Sequence, residues 1–296
     1  MQLVGYILIY PILFLTSLLP FRLLYFVSDC VFVVMYYGVG YRKKVVTQNL
    51  KLVFPEKSEA DISSIRKKFY RHMCDMFLEM IKSITISEKQ LVKRFIIKNT
   101  EEVRRLEALN KSVVVMYGHY ASYEWSVVVG HYLDYKGYAI YKPIKNKNFD
   151  NLVKRIRSKY NVFLISSKEA VSKIVESETQ NIRSVTAFLS DQSPKSSKRQ
   201  HWVDFMGVKV PCFTGAEVLA KKLNLSVSFL KISKVKRGYY EAEFEPLADD
   251  PTQFPDYEIT DKFTKVLEAQ IREAPEYYLW THKRWKHRLK KGEAIP

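Results

Sequence analysis

The chain alternates short β-branched runs with helical patterns from residue 100 onward, and this alternation constrains its fold more than any other feature. Strands are predicted at 112–117, 138–142, 162–166, 183–189, 226–234 and 239–245. Helices are predicted at 101–109, 121–133, 147–159, 167–176, 214–223 and 257–273. Strands that alternate with helices are typical of a mostly parallel sheet covered by helices on both faces. We therefore predict an α/β core over 100–296, preceded by a helical region over 42–99, as one domain.

The first forty-one residues differ from the rest of the chain. Leu3–Leu19 contains no charged residue, and Leu23–Tyr41 contains only Asp29. A helix of seventeen residues is about 25 Å long, slightly short of a hydrocarbon core of about 30 Å. We predict that residues 1–41 anchor the protein to a membrane, either as one tilted span or as two segments that dip into one leaflet. A pair of buried core helices is the alternative.

Basic residues follow the predicted anchor directly. They are Arg42, Lys43, Lys44 and Lys51. Because positive charge next to a membrane segment favours the cytoplasmic side, we predict that the domain lies on the cytoplasmic face of the membrane.

The net charge of +17 is large, and either a polyanion or an anionic membrane surface explains it. Anionic lipid headgroups, a phosphorylated substrate and an acidic carrier protein all carry such negative charge. Nucleic acid is not predicted, since no known nucleic-acid-binding motif is present. The three cysteines, Cys30, Cys74 and Cys212, lack metal-ligand spacing and are predicted to be reduced, buried and inert.

His119 and Glu124 are the residues most suited to chemistry. Gly118 ends the predicted strand 112–117, so His119 lies at the carboxyl end of a buried strand, where open α/β sheets bind ligands. Glu124, five positions later, is close enough to fix the tautomer of the imidazole. The pattern is that of a general base with an orienting carboxylate. A polar loop histidine with an unrelated helix-start glutamate is the alternative interpretation.

Five sequence blocks resemble a known family when taken in order. They are Tyr41–Leu50 with Phe54-Pro-Glu, Gly118–Glu124 with the H-x4-E spacing, Tyr141–Arg157, Asp191-Gln192 with Phe205-Met-Gly207 and Thr214-Gly215, and Tyr278–Lys286. Together they resemble the late (lauroyl/myristoyl) acyltransferases of bacterial lipid A biosynthesis, in the lysophospholipid-acyltransferase-like superfamily. The resemblance extends from Tyr41 to about Arg288.

The resemblance implies an enzyme of lipopolysaccharide biosynthesis at the cytoplasmic face of the inner membrane, which moves a fatty acyl chain from a thioester to a hydroxyl of a lipid A precursor. It implies catalytic roles for His119 and Glu124. It also implies substrate contacts by Arg157, Asp191, Gln192, Lys283 and Arg284. Acyl carrier protein or coenzyme A is expected to carry the acyl group, and no metal, other cofactor or covalent acyl-enzyme is expected.

Two departures from the family pattern concern the acceptor. Ser193-Pro follows Asp191-Gln192 in place of Tyr-Gly, and Lys142 and Lys283 stand where many relatives have arginine. Since lysine lacks the bidentate reach of arginine, the geometry around a headgroup is expected to differ. A lysophospholipid or an ornithine- or glycine-type amino-acid lipid is therefore the alternative acceptor.

Overall fold

The computed structural model describes residues 2–194 and 200–289. The helices are α1 Gln2–Leu18, α2 Phe21–Val33, α3 Lys43–Val53, α4 Glu59–Lys82, α5 Glu88–Val92, α6 Thr100–Ala108, α7 Lys147–Arg157, α8 Ala170–Thr179, α9 Gly215–Leu223 and α10 Glu258–Glu273. A π-helical turn, Val34–Val39, continues α2, and 3₁₀ helices occupy Tyr123–His131, Pro251–Gln253 and Pro275–Tyr277. The strands are β1 Phe95–Ile97, β2 Val113–Tyr117, β3 Lys136–Tyr141, β4 Val162–Ser166, β5 Ser184–Leu189, β6 His201–Phe205, β7 Val208–Cys212, β8 Ser226–Lys236 and β9 Tyr239–Ala248.

The predicted α/β fold is confirmed. Seven strands form one sheet in the order β1-β9-β8-β2-β5-β3-β4, and β6 pairs with β7 in a separate hairpin. All neighbouring strands in the large sheet are parallel except β8 and β9, which form an antiparallel hairpin. Helices flank this sheet, as the alternation of strands and helices predicts.

Strand β2 lies at the centre of the sheet because its side chains are apolar on both faces. All five of its residues are buried, and it pairs in parallel with β5 on one side and β8 on the other. A strand covered on both faces has no polar alternation, and the run Val113–Val115 shows none. The residue that follows β2 therefore emerges at the middle of the carboxyl edge.

Three elements differ from the prediction. Strand β1 has only three residues, too few for a periodic signal. The hairpin β6–β7 lies in a stretch predicted as loop; its turn, Met206-Gly207, has positive φ at both residues, the geometry of tight hairpins. The segment after Ala121 is a 3₁₀ helix and not the predicted α-helix.

Helix α4 is the longest helix of the helical region predicted over 42–99. Ser58 and Asp61 form a reciprocal capping box at its start, which satisfies two backbone N–H groups that the helix cannot bond itself. Met73 and Met76 are buried in the core.

The N-terminal helices pack on α4 with one side only. Phe21–Val39 is the one segment in the described part of the chain that is long and apolar enough to cross a membrane, and Gly5–Leu18 is a shorter apolar helix. Only 22% of the longer segment is buried, so these are not core helices. Cys30, predicted to be buried, is exposed because it lies on the uncovered side of α2, whereas Cys74 and Cys212 are buried; all three thiols are free.

Candidate active site

Two neighbouring parallel strands bring the central residues of the site together. Tyr117 at the end of β2 is in register with Leu189 at the end of β5, and the Ser190 amide donates to the Tyr117 carbonyl at 3.1 Å. His119 follows one strand and Asp191 the other. Side chains separated by 72 positions in the sequence thus meet at one edge of the sheet.

His119 is held by Asp191 through two hydrogen bonds. Its ring Nδ1 lies 2.6 Å from Asp191 Oδ1, and its backbone N–H donates to Asp191 Oδ2 at 3.1 Å. Since an ionised carboxylate only accepts, Nδ1 carries the proton, and Nε2 is unprotonated and accepts from the Gln192 amide. The side-chain amide of Gln192 lies 3.2 Å from Nε2, and the ring of Tyr123 packs edge-on against the imidazole.

The electrostatics of this pair favour a basic imidazole. Burial disfavours the imidazolium, but the charge of Asp191 and its hydrogen bond, aided by the charge of Glu124, raise the pKa of His119 above its ordinary value. Burial alone would raise the pKa of the Asp191 carboxyl; the charge and N–H groups of His119, with the positive charge of Arg284, lower it instead. Asp191 therefore stays ionised beside the ring.

Glu124 is bound by an arginine. The Arg157 guanidinium at the end of α7 contacts both of its carboxylate oxygens, with Nε at 3.0 Å and Nη2 at 2.5 and 2.7 Å. Nη1 of Arg157 has no hydrogen-bond partner among the residues described. The Arg157 side chain is 27% exposed and that of Glu124 12%. The Nη1 group of Arg157 therefore remains as a charged donor outside the contact with Glu124.

The direct pairing of His119 with Glu124 that the sequence suggests is not the pairing in the structure. Asp191 occupies Nδ1, and the Glu124 carboxylate is occupied by Arg157. Glu124 acts on the imidazole through its charge. The local spacing pointed to Glu124, whereas the strand order, which the sequence does not display, selects Asp191.

The loop after β2 is fixed by the C-terminal segment and by α4. The Ala121 N–H donates to Tyr277, and the Leu279 N–H donates to the His119 carbonyl, at 3.0 and 3.1 Å. His72, buried in α4, lies 3.3 Å from the Ala121 carbonyl. The backbone N–H groups of 119–121 all have partners within the protein. These three amides are therefore not free to meet a charge that develops on a substrate.

Comparison with known proteins identifies the family. Residues 2–287 match the family described as bacterial lipid A biosynthesis acyltransferase. The chain belongs to this family. It is 23% identical over 288 residues to the lipid A biosynthesis palmitoleoyltransferase of Escherichia coli (strain K12). The aligned region covers 94% of this chain and 89% of that protein. The chain has the same identity and coverage with the lipid A biosynthesis acyltransferase of Shigella flexneri.

The protein is thus an acyltransferase, and the predicted site residues of this family member divide into three groups. His119, Asp191, Gln192, Glu124 and Arg157 meet at the carboxyl edge of the sheet. Arg284 lies behind Asp191 and is only 3% exposed, with Nη1 on the Pro211 carbonyl. This burial leaves little room for the predicted substrate contact, and the positive charge of Arg284 helps to lower the pKa of Asp191.

Lys283 faces away from the central cluster. It lines an open groove of about 550 Å³ between α3 and the C-terminal segment. Lys51, Lys286 and Arg288 line the same groove, and no acidic residue does. We call these four residues and this space the basic groove. Trp285, which also lines it, stacks on Trp280 at 5.8 Å and fixes the segment that carries the cations.

An apolar cavity of about 50 Å³ lies beneath the site. Its walls come from β2, β3, β5 and the 3₁₀ helix Tyr123–His131, and include Val115, Ala139 and Ala187. Its polar end is formed by Tyr117 and Ser126, whose hydroxyls lie 3.3 Å apart. Tyr117 lies close enough to Glu124 and Arg157 for their charges to act on its pKa, which burial raises.

No cluster of three or more His, Cys, Asp or Glu side chains suited to a metal ion occurs in residues 2–194 and 200–289.

Sequence reasoning missed Tyr117 and Tyr123 as neighbours of the base. The signal that could have found them is their position, since Tyr117 precedes Gly118 and Tyr123 lies within the H-x4-E block.

Proposed function

We propose that this enzyme transfers a fatty acyl chain from a thioester to a hydroxyl of a lipid A precursor, with His119 as general base. The observation that carries the proposal is the His119–Asp191 pair at the carboxyl edge of the sheet, which leaves Nε2 as a proton acceptor. The family membership supports the reaction class.

Nε2 of His119 takes the proton of the acceptor hydroxyl as its oxygen attacks the thioester carbonyl carbon. The C–O bond forms, and the carbonyl electrons move to the oxygen to give a tetrahedral oxyanion. As the oxyanion collapses, the C–S bond breaks and the departing thiolate takes the proton from the imidazolium. Asp191 stabilises that imidazolium and keeps Nδ1 facing it. Atoms and charges balance without a covalent acyl-enzyme.

Arg157 stabilises the oxyanion in this mechanism. Its Nη1 group is a charged donor beside the site, and the backbone amides of 119–121 already have other partners. Donors of this kind act most strongly where water is excluded. Glu124 holds the guanidinium in place with a bidentate contact, so it serves the reaction both through Arg157 and through its charge on His119.

The apolar cavity beneath Tyr117 accepts the end of the acyl chain. It is lined mainly by small or β-branched side chains, and it begins beside the predicted reaction centre. Methylene groups buried there are removed from water, which favours binding by about 0.8 kcal/mol each.

The basic groove binds the anionic part of the donor. Acyl carrier protein and coenzyme A both carry phosphate esters near the thioester. Lys51 pairs with Glu59, and Lys283, Lys286 and Arg288 are the cations of the groove that complement such charges. A carrier protein has an acidic surface that contacts more of this basic protein than coenzyme A can. The net charge of +17 therefore favours acyl carrier protein as the donor.

A reconstitution assay tests the function. The full-length enzyme in detergent is given matched acyl carrier protein and coenzyme A thioesters together, with a tetra-acylated lipid A precursor as acceptor. We expect acylated lipid A, with the carrier-protein donor consumed first. Transfer only to a lysophospholipid, or only to an ornithine or glycine lipid, would reassign the acceptor. No transfer to any of these lipids by folded protein with several chain lengths would refute the proposal.

A further inference from the structure

The N-terminal helices present a wide apolar face to the outside of the protein. Leu8, Ile12 and Leu15 on α1 are 66%, 65% and 64% exposed. Phe26 and Val39 in the segment Phe21–Val39 are 66% and 65% exposed. We call the exposed side of α1 and Phe21–Val39 the apolar face. Exposed apolar surface of this extent marks a binding partner or a membrane.

The opposite side of α2 is fixed to the domain by polar contacts. Ser28 donates to Asp75 at 2.7 Å, and the Tyr25 hydroxyl donates to Glu79 at 2.8 Å. Further along, Arg66 of α4 contacts the Tyr36 hydroxyl at 3.3 Å. Residues 25, 28 and 36 of the segment thus contact residues 79, 75 and 66 of α4 in turn. Phe21–Val39 therefore runs antiparallel to α4.

Charges lie in the middle of the segment. Asp29 pairs with Arg237 of the β8–β9 hairpin at 2.8 Å, and the same guanidinium binds Asp75. If Phe21–Val39 crossed a bilayer in this arrangement, Asp29, Arg237 and the adjoining part of α4 would lie near the bilayer centre. Ionised side chains at that depth are strongly disfavoured. The docked arrangement therefore favours a path along the membrane surface over a transmembrane path.

Helix α1 is held in the same way. Lys82 near the end of α4 donates to the carbonyls of Ser17 and Leu19 at 2.8 Å, which fixes the connection between α1 and α2. At the other end of α1, Tyr6 contacts Phe149 of α7 edge-on at 5.2 Å. Both helices are thus bound on one side and uncovered on the other.

Cations border the apolar face. Arg22, Arg42 and Lys44 are exposed at the ends of Phe21–Val39. On α7, Lys147 and Arg155 are exposed beside α1, and Arg155 contacts the Tyr10 hydroxyl. An apolar strip with a basic border complements anionic headgroups above acyl chains. A second copy of this chain would bring like charges together.

We propose that α1 and Phe21–Val39 lie in the plane of one leaflet of an anionic bilayer, docked on the domain, and do not cross the bilayer. Helix α7, on which α1 rests, ends at Arg157 in the site. A lipid hydroxyl can therefore reach His119 from the same leaflet. The mode of attachment is independent of the proposed reaction, because it does not depend on which lipid is acylated.

Nitroxide depth measurements on the full chain in phosphatidylethanolamine–phosphatidylglycerol vesicles test this proposal. The native Cys30 is exposed at the middle of the segment, whereas Cys74 and Cys212 are buried, so the wild-type protein takes one label. Leu23→Cys, Val39→Cys and Leu8→Cys, each with Cys30→Ser, place labels at the ends and on α1. Val171→Cys on α8, 60% exposed, is the control in water.

We expect all four N-terminal labels at one shallow depth, about 5–10 Å below the headgroups. A label on Cys30 near the centre, about 15 Å deep, with Leu23 and Val39 labels near opposite surfaces, would establish a span and overturn the proposal. Labels that stay in water, or that couple to one another between copies, would overturn it in favour of no membrane face or of a dimer. Enzyme activity does not enter the result.

Discussion

At the residue scale, burial would lower the pKa of His119, the proposed base, and the negative charge of Asp191 raises it instead. Asp191→Asn keeps an oxygen that can accept from Nδ1 but removes the negative charge that counters burial. The pKa of His119 is then expected to fall. Because the base works as neutral imidazole, activity rises with pH through this pKa, so the acid limb of the pH–rate profile moves to lower pH.

The plateau rate of Asp191→Asn is expected to fall by about 10²-fold, since a weaker base transfers the proton less readily. The measurement is the pH dependence of kcat/KM for wild type and variant. Asp204→Asn is the matched control, because Asp204 is an exposed carboxylate paired with Lys209 outside the site. An unchanged acid limb in Asp191→Asn would show that Asp191 does not set the basicity of His119.

The pair of Glu124 and Arg157 yields a second prediction at this scale. Arg157→Ala is expected to lower kcat by about 10²–10³-fold, the usual effect of losing an oxyanion donor. Arg157→Lys should lie in between, since it keeps the charge but loses the bidentate contact. Arg155→Lys in the same helix is the control, because its side chain is exposed.

A double-mutant cycle separates the two roles of Glu124. If Glu124 acts mainly through Arg157, adding Glu124→Gln to Arg157→Ala lowers kcat little further. Losses that multiply would instead indicate a direct action of Glu124 on His119, the dyad that the sequence spacing suggests.

At the scale of elements, the 3₁₀ helix Tyr123–His131 packs closely on the connection to β4. A Cβ atom on Gly130 would lie 1.9 Å from the Tyr160 carbonyl oxygen, which is backbone and cannot turn away. Gly130→Ala is expected to lower the free energy of unfolding by about 1–3 kcal/mol. Gly215→Ala, where nothing lies within 4 Å of the added atom, should have little effect. Denaturant unfolding of both variants checks this; equal stabilities would contradict the close packing.

The same scale shows what the sequence could predict. The run Val113–Val115 and the break at Gly118 were enough to place His119 at a strand end. Consecutive apolar β-branched residues indicate a strand that is buried on both faces. The order of the strands has no such signal. The sequence does not indicate that β5 pairs with β2. Asp191 could therefore be placed at a strand end but not next to His119.

Local spacing misled for the same reason. Glu124 is near His119 in sequence, yet its carboxylate is bound by Arg157, thirty-three positions further on. Lys283 and Arg284 are neighbours in the chain, but one lines the basic groove and the other is buried. In a segment without regular secondary structure, tertiary packing decides which side chains are buried and which are exposed. Such a segment has no periodic pattern in its sequence from which this could be predicted.

At the scale of the whole molecule, the apolar face and the basic groove each connect to the site through a different element. Helix α1 contributes to the apolar face and rests on α7, and α7 ends in the site. The basic groove lies between α3 and the C-terminal segment, whose Leu279 amide binds the His119 carbonyl. An acceptor in a leaflet and an anionic donor from the aqueous phase can thus reach the imidazole from different directions.

The most direct test of the central claim is the single-turnover rate of acyl transfer in His119→Ala and His201→Ala. His201 also pairs with a carboxylate, Asp261, at 2.7 Å, but outside the site, so it controls for the loss of a histidine–aspartate pair. We predict that His119→Ala loses at least about 10²-fold in rate while remaining folded, and that His201→Ala stays close to wild type. Turnover by folded His119→Ala at the wild-type rate would contradict the account.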